Sequence, residues 1–255
     1  MERTEWILGG ISVLEPMTAL TDFIVTIVCM IAFVKLRRIS IEQHGYMKYY
    51  PYFFLTMGLG CFFAALMTHA FPYTMVEQLL DKNEIKNLDW LDKLLYHFHD
   101  LPNWILNIIS VTLFEIGMVE RISKNRPEYN RNLFTRIVII ESAVVAILLL
   151  WQLNYAVAAA HIGFALYVIE LPQMLKIKRE GNIAESKPLI MGSWLMIIAI
   201  AAMAFQKILV EYSPWFNHND ISHCVIAITM YLFYKSAEVG MCLEKREESL
   251  VISKP

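Results

Sequence analysis

The chain has 255 residues, of which 57% are hydrophobic and 18% charged, with a formal net charge of −2. A soluble domain is roughly 45–50% apolar and about 25% charged, so this chain either buries nearly all of itself or has lipid as its solvent. No basic excess points to nucleic acid as a partner. Ten glycines and nine prolines exclude collagen-like and low-complexity classes. Cys29, Cys61, Cys224 and Cys242 are too scattered for a CxxC pair or a disulfide framework.

Apolar stretches near 20 residues recur along the whole chain, the length needed to cross a hydrocarbon core about 30 Å thick. The predicted spans lie at roughly 11–34, 51–73, 100–120, 133–152, 154–175, 188–211 and 220–240. The fold class read from them is all-α: a polytopic membrane protein built as a seven-transmembrane-helix bundle over residues 1–243, followed by a charged tail at 244–255 that is expected to be disordered. The first span is too long for a signal peptide and lacks a basic leader and a small-residue cleavage site.

Lys and Arg alternate between rich and poor connections. Lys35, Arg37, Arg38 and Lys48 follow the first span, Arg121 to Arg136 the third, Lys176 to Lys187 the fifth, and Lys235, Lys245, Arg246 and Lys254 the last. The other side carries Arg3, Lys82, Lys86 and Lys93, with Lys207 inside span six. The positive-inside rule then places the N-terminus outside and the C-terminus in the cytoplasm. The expected location is an integral membrane position, the inner membrane if the source is bacterial. Spans four and five, joined near Gln152–Asn154, form an antiparallel pair. The acidic connection 74–99, with leucines at loosely helical spacing and Trp90 among them, reads as an amphipathic interfacial helix acting as a lid, or as a plain surface helix. Trp6, Trp104, Trp151 and Trp215 fall near predicted outer ends, as an aromatic belt requires, with the lining of a pocket as the alternative for Trp104.

An ionisable side chain in hydrocarbon is costly and marks a candidate site. Apart from His44 in a basic loop, the histidines gather in the outer half: His69 ends span two, His97 and His99 precede span three, His161 lies two turns into span five, and His218 and His223 open span seven. Asp100 and Asp220 join them, with Glu15, Thr18 and Asp22 on one face of span one and Asn103 and Asn107 below Asp100. Separate interfacial histidines are the alternative reading. Glu211 and Lys207 pair with each other one turn apart, and Glu115, Glu141 and Glu170 read as links between helices. Imidazoles and carboxylates together suit Zn²⁺, which takes three protein ligands and a water in a catalytic site, with a nearby carboxylate as base or orienter.

A histidine ending the second helix, an Asp starting the third and histidines opening the seventh resemble the CREST superfamily of seven-helix membrane proteins, which includes alkaline ceramidases, progestin and adipoQ receptors and Per1-like proteins. The segments EPMTALTD (15–22), GLGCFFAALMTH (58–69) and FNHNDISH (216–223) also resemble bacterial seven-helix proteins of that group. The resemblance implies a zinc-dependent lipid amide hydrolase, with His69, His223 and His218 as metal ligands and Asp100 as the catalytic base or orienter. Two positions depart from the superfamily pattern. Ala65 stands where it has a Ser, leaving Thr68 as the nearest hydroxyl, and Asn219 stands four residues before His223 where it has a His. His97, His99 and His161 are alternative sources of the third nitrogen, and Asn103, Asn219, Asp220, Glu15 and Asp22 are further candidate pocket residues. The expected function is a membrane-embedded zinc-dependent hydrolase of a lipid amide or ester, with its site near the outer leaflet and a membrane lipid as substrate. The alternatives are a non-catalytic ligand-binding, receptor or transport protein with a polar outer pocket, a haem held between facing histidines, ranked below zinc, and a scaffold whose polar residues only fix helix packing.

Overall fold

In a computed structural model the described residues are 5–8, 11–40, 48–71, 88–125, 130–204 and 217–252. Among them are a two-stranded hairpin and eight helices. Strands β1 (Glu5–Leu8) and β2 (Ile11–Leu14) pair antiparallel, Glu5 opposite Leu14. Helix α1 is Pro16–Ser40. Helix α2 is Tyr49–Phe63, prolonged by a π-helical turn Ala64–Ala70. The short α3, Trp90–Tyr96, precedes α4, Leu101–Asn125, and α5, Arg131–Gln152. Helix α6 runs Ala156–Phe164, passes through a π turn at Ala165–Glu170 and ends with Leu171–Arg179. Helices α7, Ile183–Ala204, and α8, His218–Ile252, complete the chain.

Six of these, α1, α2, α5, α6, α7 and α8, are long and apolar enough to cross a membrane. Their solvent-facing pattern is that of a lipid-soluble surface. On α1, Leu20, Ile24, Ile27, Ile31 and Val34 are exposed, while Thr18, Asp22, Val25, Cys29, Ala32 and Leu36 are buried. Both sets step by three and four, so one helix shows an apolar outer stripe and an inner stripe that mixes apolar and polar groups. Polar residues turned inward with apolar ones outward are what a hydrocarbon solvent requires.

Helix α1 packs between α2 and α8; α2 packs on α4, α8 on α7, and the last part of α6 on α7. Helix α5 lies on α4 and α6 at the edge, with Ile137, Ile140, Val144 and Ile147 exposed. The main core joins Phe53 and Phe54 of α2, Phe114 and Met118 of α4, Met174 of α6, and Met230 and Phe233 of α8. Phe114 and Phe233 stack with centroids 5.8 Å apart and planes 12° apart.

The structure corrects several sequence expectations. Residues 11–14 of the first predicted span form a strand, and the helix begins at Pro16, whose fixed φ suits a first helical position. The tail expected to be disordered continues α8 to Ile252. The predicted lid helix is confined, among the described residues, to the seven residues of α3, which is tied to α5 by a hydrogen bond from Trp90 Nε1 to the Leu150 carbonyl at 3.1 Å. Residues 74–87 of that connection, residues 205–211 of span six with Lys207 and Glu211, and Trp215 lie outside the described residues. The tight α5–α6 connection is as expected: Leu153 adopts a left-handed conformation (φ 47°) and its N–H closes on the Leu149 carbonyl at 2.7 Å.

Helices α7 and α8 meet at Gly192, where a Cβ would stand 2.7 and 2.9 Å from the ring of Phe233. That ring is 3% exposed and already stacked, so it has little room to yield. Gly192→Ala is expected to destabilise the bundle by about 1–3 kcal/mol through overpacking. Thermal unfolding in detergent would read this as a lowered Tm, and an unchanged Tm would contradict the tight contact.

Candidate functional site

The site is assembled at the end of the bundle that carries the hairpin. Glu15 links β2 to α1 with a φ of 44°, a conformation uncommon for a residue with a side chain. The Pro that follows disfavours the ordinary helical region for Glu15, and the resulting turn aims its carboxylate at α2. Oε2 of Glu15 accepts a hydrogen bond from His69 Nδ1 at 2.8 Å. Nearly two turns into α1, Asp22 is 3% exposed and faces two imidazoles. Its Oδ2 lies 3.7 Å from His69 Nε2, and its Oδ1 lies 3.4 Å from His223 Nδ1. Thr21 Oγ1 is 3.2 Å from the same His223 nitrogen. The two rings are edge to face, with centroids 5.9 Å apart.

His69 sits in the π turn of α2. Bonding from i to i+5 widens the turn by one residue, and Ala64, Thr68 and His69 all reach the same cavity wall. Thr68 Oγ1 donates to Asp100 Oδ1 at 2.9 Å. Asp100 also faces His97 Nδ1 at 3.2 Å through Oδ2, and His99 Nε2 at 3.5 Å through Oδ1. A hydroxyl and two imidazoles around one carboxyl group favour its ionised form.

Of these groups Asp22, Thr68, His69, Asp100 and His223 line a cavity of about 580 Å³, within the range of small-molecule sites. Asp22, His69, Asp100, Asn103, Asn219 and His223 make its polar end. Asn107, Asn154 and Tyr155 add further polar groups, and the remaining walls are mostly apolar, reaching Phe53, Phe114, Leu166 and Phe233 in the bundle core. Trp104 is 6% exposed, lines this cavity and leans on His97 with centroids 5.3 Å apart, so it is a wall residue and not part of an aromatic belt.

Asp22, His69 and His223 each offer a ligand atom within 4.8 Å of the others. Whether the set suits a metal turns on His69. With Nδ1–H given to Glu15, a neutral ring presents the lone pair of Nε2 to Asp22 Oδ2, an oxygen that is buried and has no hydrogen-bond partner among the described residues. Two acceptors face each other and call for a cation or a proton between them. The carboxylate–histidine arrangement that fixes Nε2 toward a metal is the one expected of a metal-binding imidazole. The donors fit.

Not every sequence candidate joins this set. His218 is the first residue of α8, five residues before His223, and the structure does not bring it to His69; Asp22 stands in the third position instead. Asp220 is an end cap: Asn217 N–H donates to its Oδ2 at 2.6 Å while Asn217 Oδ1 accepts from Asn219 N–H at 2.8 Å, a reciprocal capping pair. His161 is turned to the other side of α4, where its Nε2 lies 3.1 Å from Glu141 Oε2 and 3.4 Å from Glu115 Oε2. His97 and His99 flank Asp100 and are not in the three-residue donor set. Asn103 lines the cavity and accepts from Asn107 Nδ2 at 2.8 Å. Sequence reasoning underweighted Asp22 and Thr68. The helical phase of Thr18 and Asp22 pointed to the first, whereas the second depends on a π turn that no pattern announces.

No curated protein and no solved structure matches the chain. A family model matches residues 17–241, a stretch that contains Asp22, His69, Asp100 and His223, and the chain therefore belongs to the family of unknown function DUF6962.

Proposed function

We propose that the protein is a seven-helix integral membrane hydrolase that cleaves a lipid amide or ester at a zinc ion held by Asp22, His69 and His223. The carrying observation is the orientation of His69. Its Nδ1 is fixed by Glu15 at 2.8 Å, and its Nε2 is turned toward an unpartnered oxygen of Asp22 at the polar end of an otherwise mostly apolar cavity.

Helix α4 is the seventh span in this reading. It is 25 residues long, with Asn107, Ser110 and Glu115 buried and Ile105 and Ile109 exposed. With the basic connections in the cytoplasm, the N-terminus and the metal site lie on the outer side. The apolar depth of the cavity suits an acyl chain, and the polar end meets its amide or ester carbonyl. Bound zinc supplies a water of near-neutral pKa and polarises that carbonyl. Asp100, kept as a carboxylate by Thr68, His97 and His99, is the base beside it. Thr68 provides the hydroxyl at this wall that Ala65 does not. The resemblance to the CREST hydrolases supports the same chemistry, with Asp22 taking the place of a third histidine.

Zinc content of the purified protein, measured with turnover of an N-acyl sphingoid amide and a phospholipid in mixed micelles, tests this. His69→Ala and Asp22→Asn are each expected to lower the zinc content by about one ion per chain and to lose activity with it. Asp100→Asn should keep the zinc and lose about 10²–10⁴ in kcat, the range of general base catalysis. A zinc content equal to that of the wild type in both His69→Ala and His223→Ala would overturn the assignment.

Glu15 acts through His69 and is a positioning residue. Glu15→Gln should weaken zinc binding about 10–100-fold, read by competition with a chromophoric chelator. Affinity equal to the wild type would show that the hairpin turn does not orient the ligand.

A further inference from the structure

A second cluster, outside the cavity, lies where α4, α5 and α6 meet. Glu115, Glu141 and His161 bring one donor atom each within 4.8 Å of the others. His161 Nε2 is 3.1 Å from Glu141 Oε2 and 3.4 Å from Glu115 Oε2. Glu115 is 1% and His161 2% exposed. Neither oxygen of Glu115 and neither ring nitrogen of His161 makes a hydrogen bond of acceptable geometry among the described residues. Buried polar groups are almost always satisfied, so three converging atoms without a hydrogen bond, Glu115 Oε2, Glu141 Oε2 and His161 Nε2, call for a ligand between them. One protonated imidazole against two carboxylates would leave a net negative charge in an apolar surround. A divalent cation with a neutral imidazole balances both carboxylates. The donor spacing also fits: ligands about 2.0–2.1 Å from a tetrahedral metal stand about 3.3–3.4 Å apart.

We infer that Glu115, Glu141 and His161 form a second, structural site for a divalent transition metal, with zinc, iron or manganese all compatible with one imidazole and two carboxylates. It would pin α5 to the bundle. That helix has the smallest buried share of the six apolar ones, and it meets α4 besides through the 2.8 Å Thr112–Ser142 hydrogen bond, the Arg131–Glu120 ion pair at 3.4 Å and the packing of Leu149 with Trp104 and Ile108. Glu141 is the more open ligand, its side chain 28% exposed at a shallow pocket between α5 and α6.

Full-length protein stripped with chelator and reloaded with zinc alone tests this by metal content and thermal unfolding. The double variant His69→Ala/His223→Ala should still bind about one zinc per chain and should melt higher with zinc than without. Adding Glu141→Gln or His161→Gln to that background should abolish both the retained metal and the zinc-dependent rise. If His161→Gln does not fold, Glu141→Gln at the open edge carries the measurement. The inference is overturned if the double variant binds no zinc, or if its zinc persists after Glu141→Gln.

Discussion

Ionisable groups in an apolar interior can stay only where other groups answer their charge, and the architecture follows from that constraint. A hydrocarbon solvent offers no hydrogen bonds, and the helices match that condition, with polar side chains turned inward and apolar ones outward on α1 and α4. Inside, the acids and imidazoles collect at a few points: Asp22 with His69 and His223, Asp100 with His97 and His99, Glu115 and Glu141 with His161, and Glu185 with Arg121. Each point joins separate helices or fixes a helix end. The same groups that would be costly alone therefore set which helices are neighbours.

At the hairpin end this constraint is combined with two backbone irregularities. The left-handed turn at Glu15 and the π turn of α2 are each departures from regular structure, and departures of this kind concentrate at functional sites. One delivers a carboxylate to His69 Nδ1. The other puts Thr68 and His69, adjacent in sequence, on one cavity wall. Together they leave His69 Nε2 facing Asp22 and Thr68 facing Asp100, so the two candidate functions, metal binding and proton acceptance, are held side by side without being merged.

The helices were legible because a hydrocarbon solvent demands long apolar runs, and those runs are written directly in residues 16–40, 49–70 and 131–152. The gathering of His69, Asp100 and His223 was legible from their depth in the spans. What the sequence could not convey was direction around each helix axis. His161 lies at a similar depth to His69 yet turns to Glu141, because one residue of phase moves a side chain about 100°. Asp220 reads as a pocket acid until its role in capping α8 is seen. The hairpin escaped notice because Ile11–Leu14 is apolar enough to pass as the start of the first span. That Thr68 and His69 share one cavity wall is not legible in the sequence, because regular helical spacing does not hold through a π turn.

The most direct test of the central claim is an experimental structure of the protein purified without chelator, with anomalous scattering recorded at the zinc edge. The account predicts an anomalous peak about 2.0–2.2 Å from His69 Nε2 and from Asp22 and His223 donor atoms, with Glu15 still bonded to His69 Nδ1. A zinc-loaded protein with no peak between these three residues, or with Asp22 hydrogen-bonded directly to both imidazoles, would contradict it.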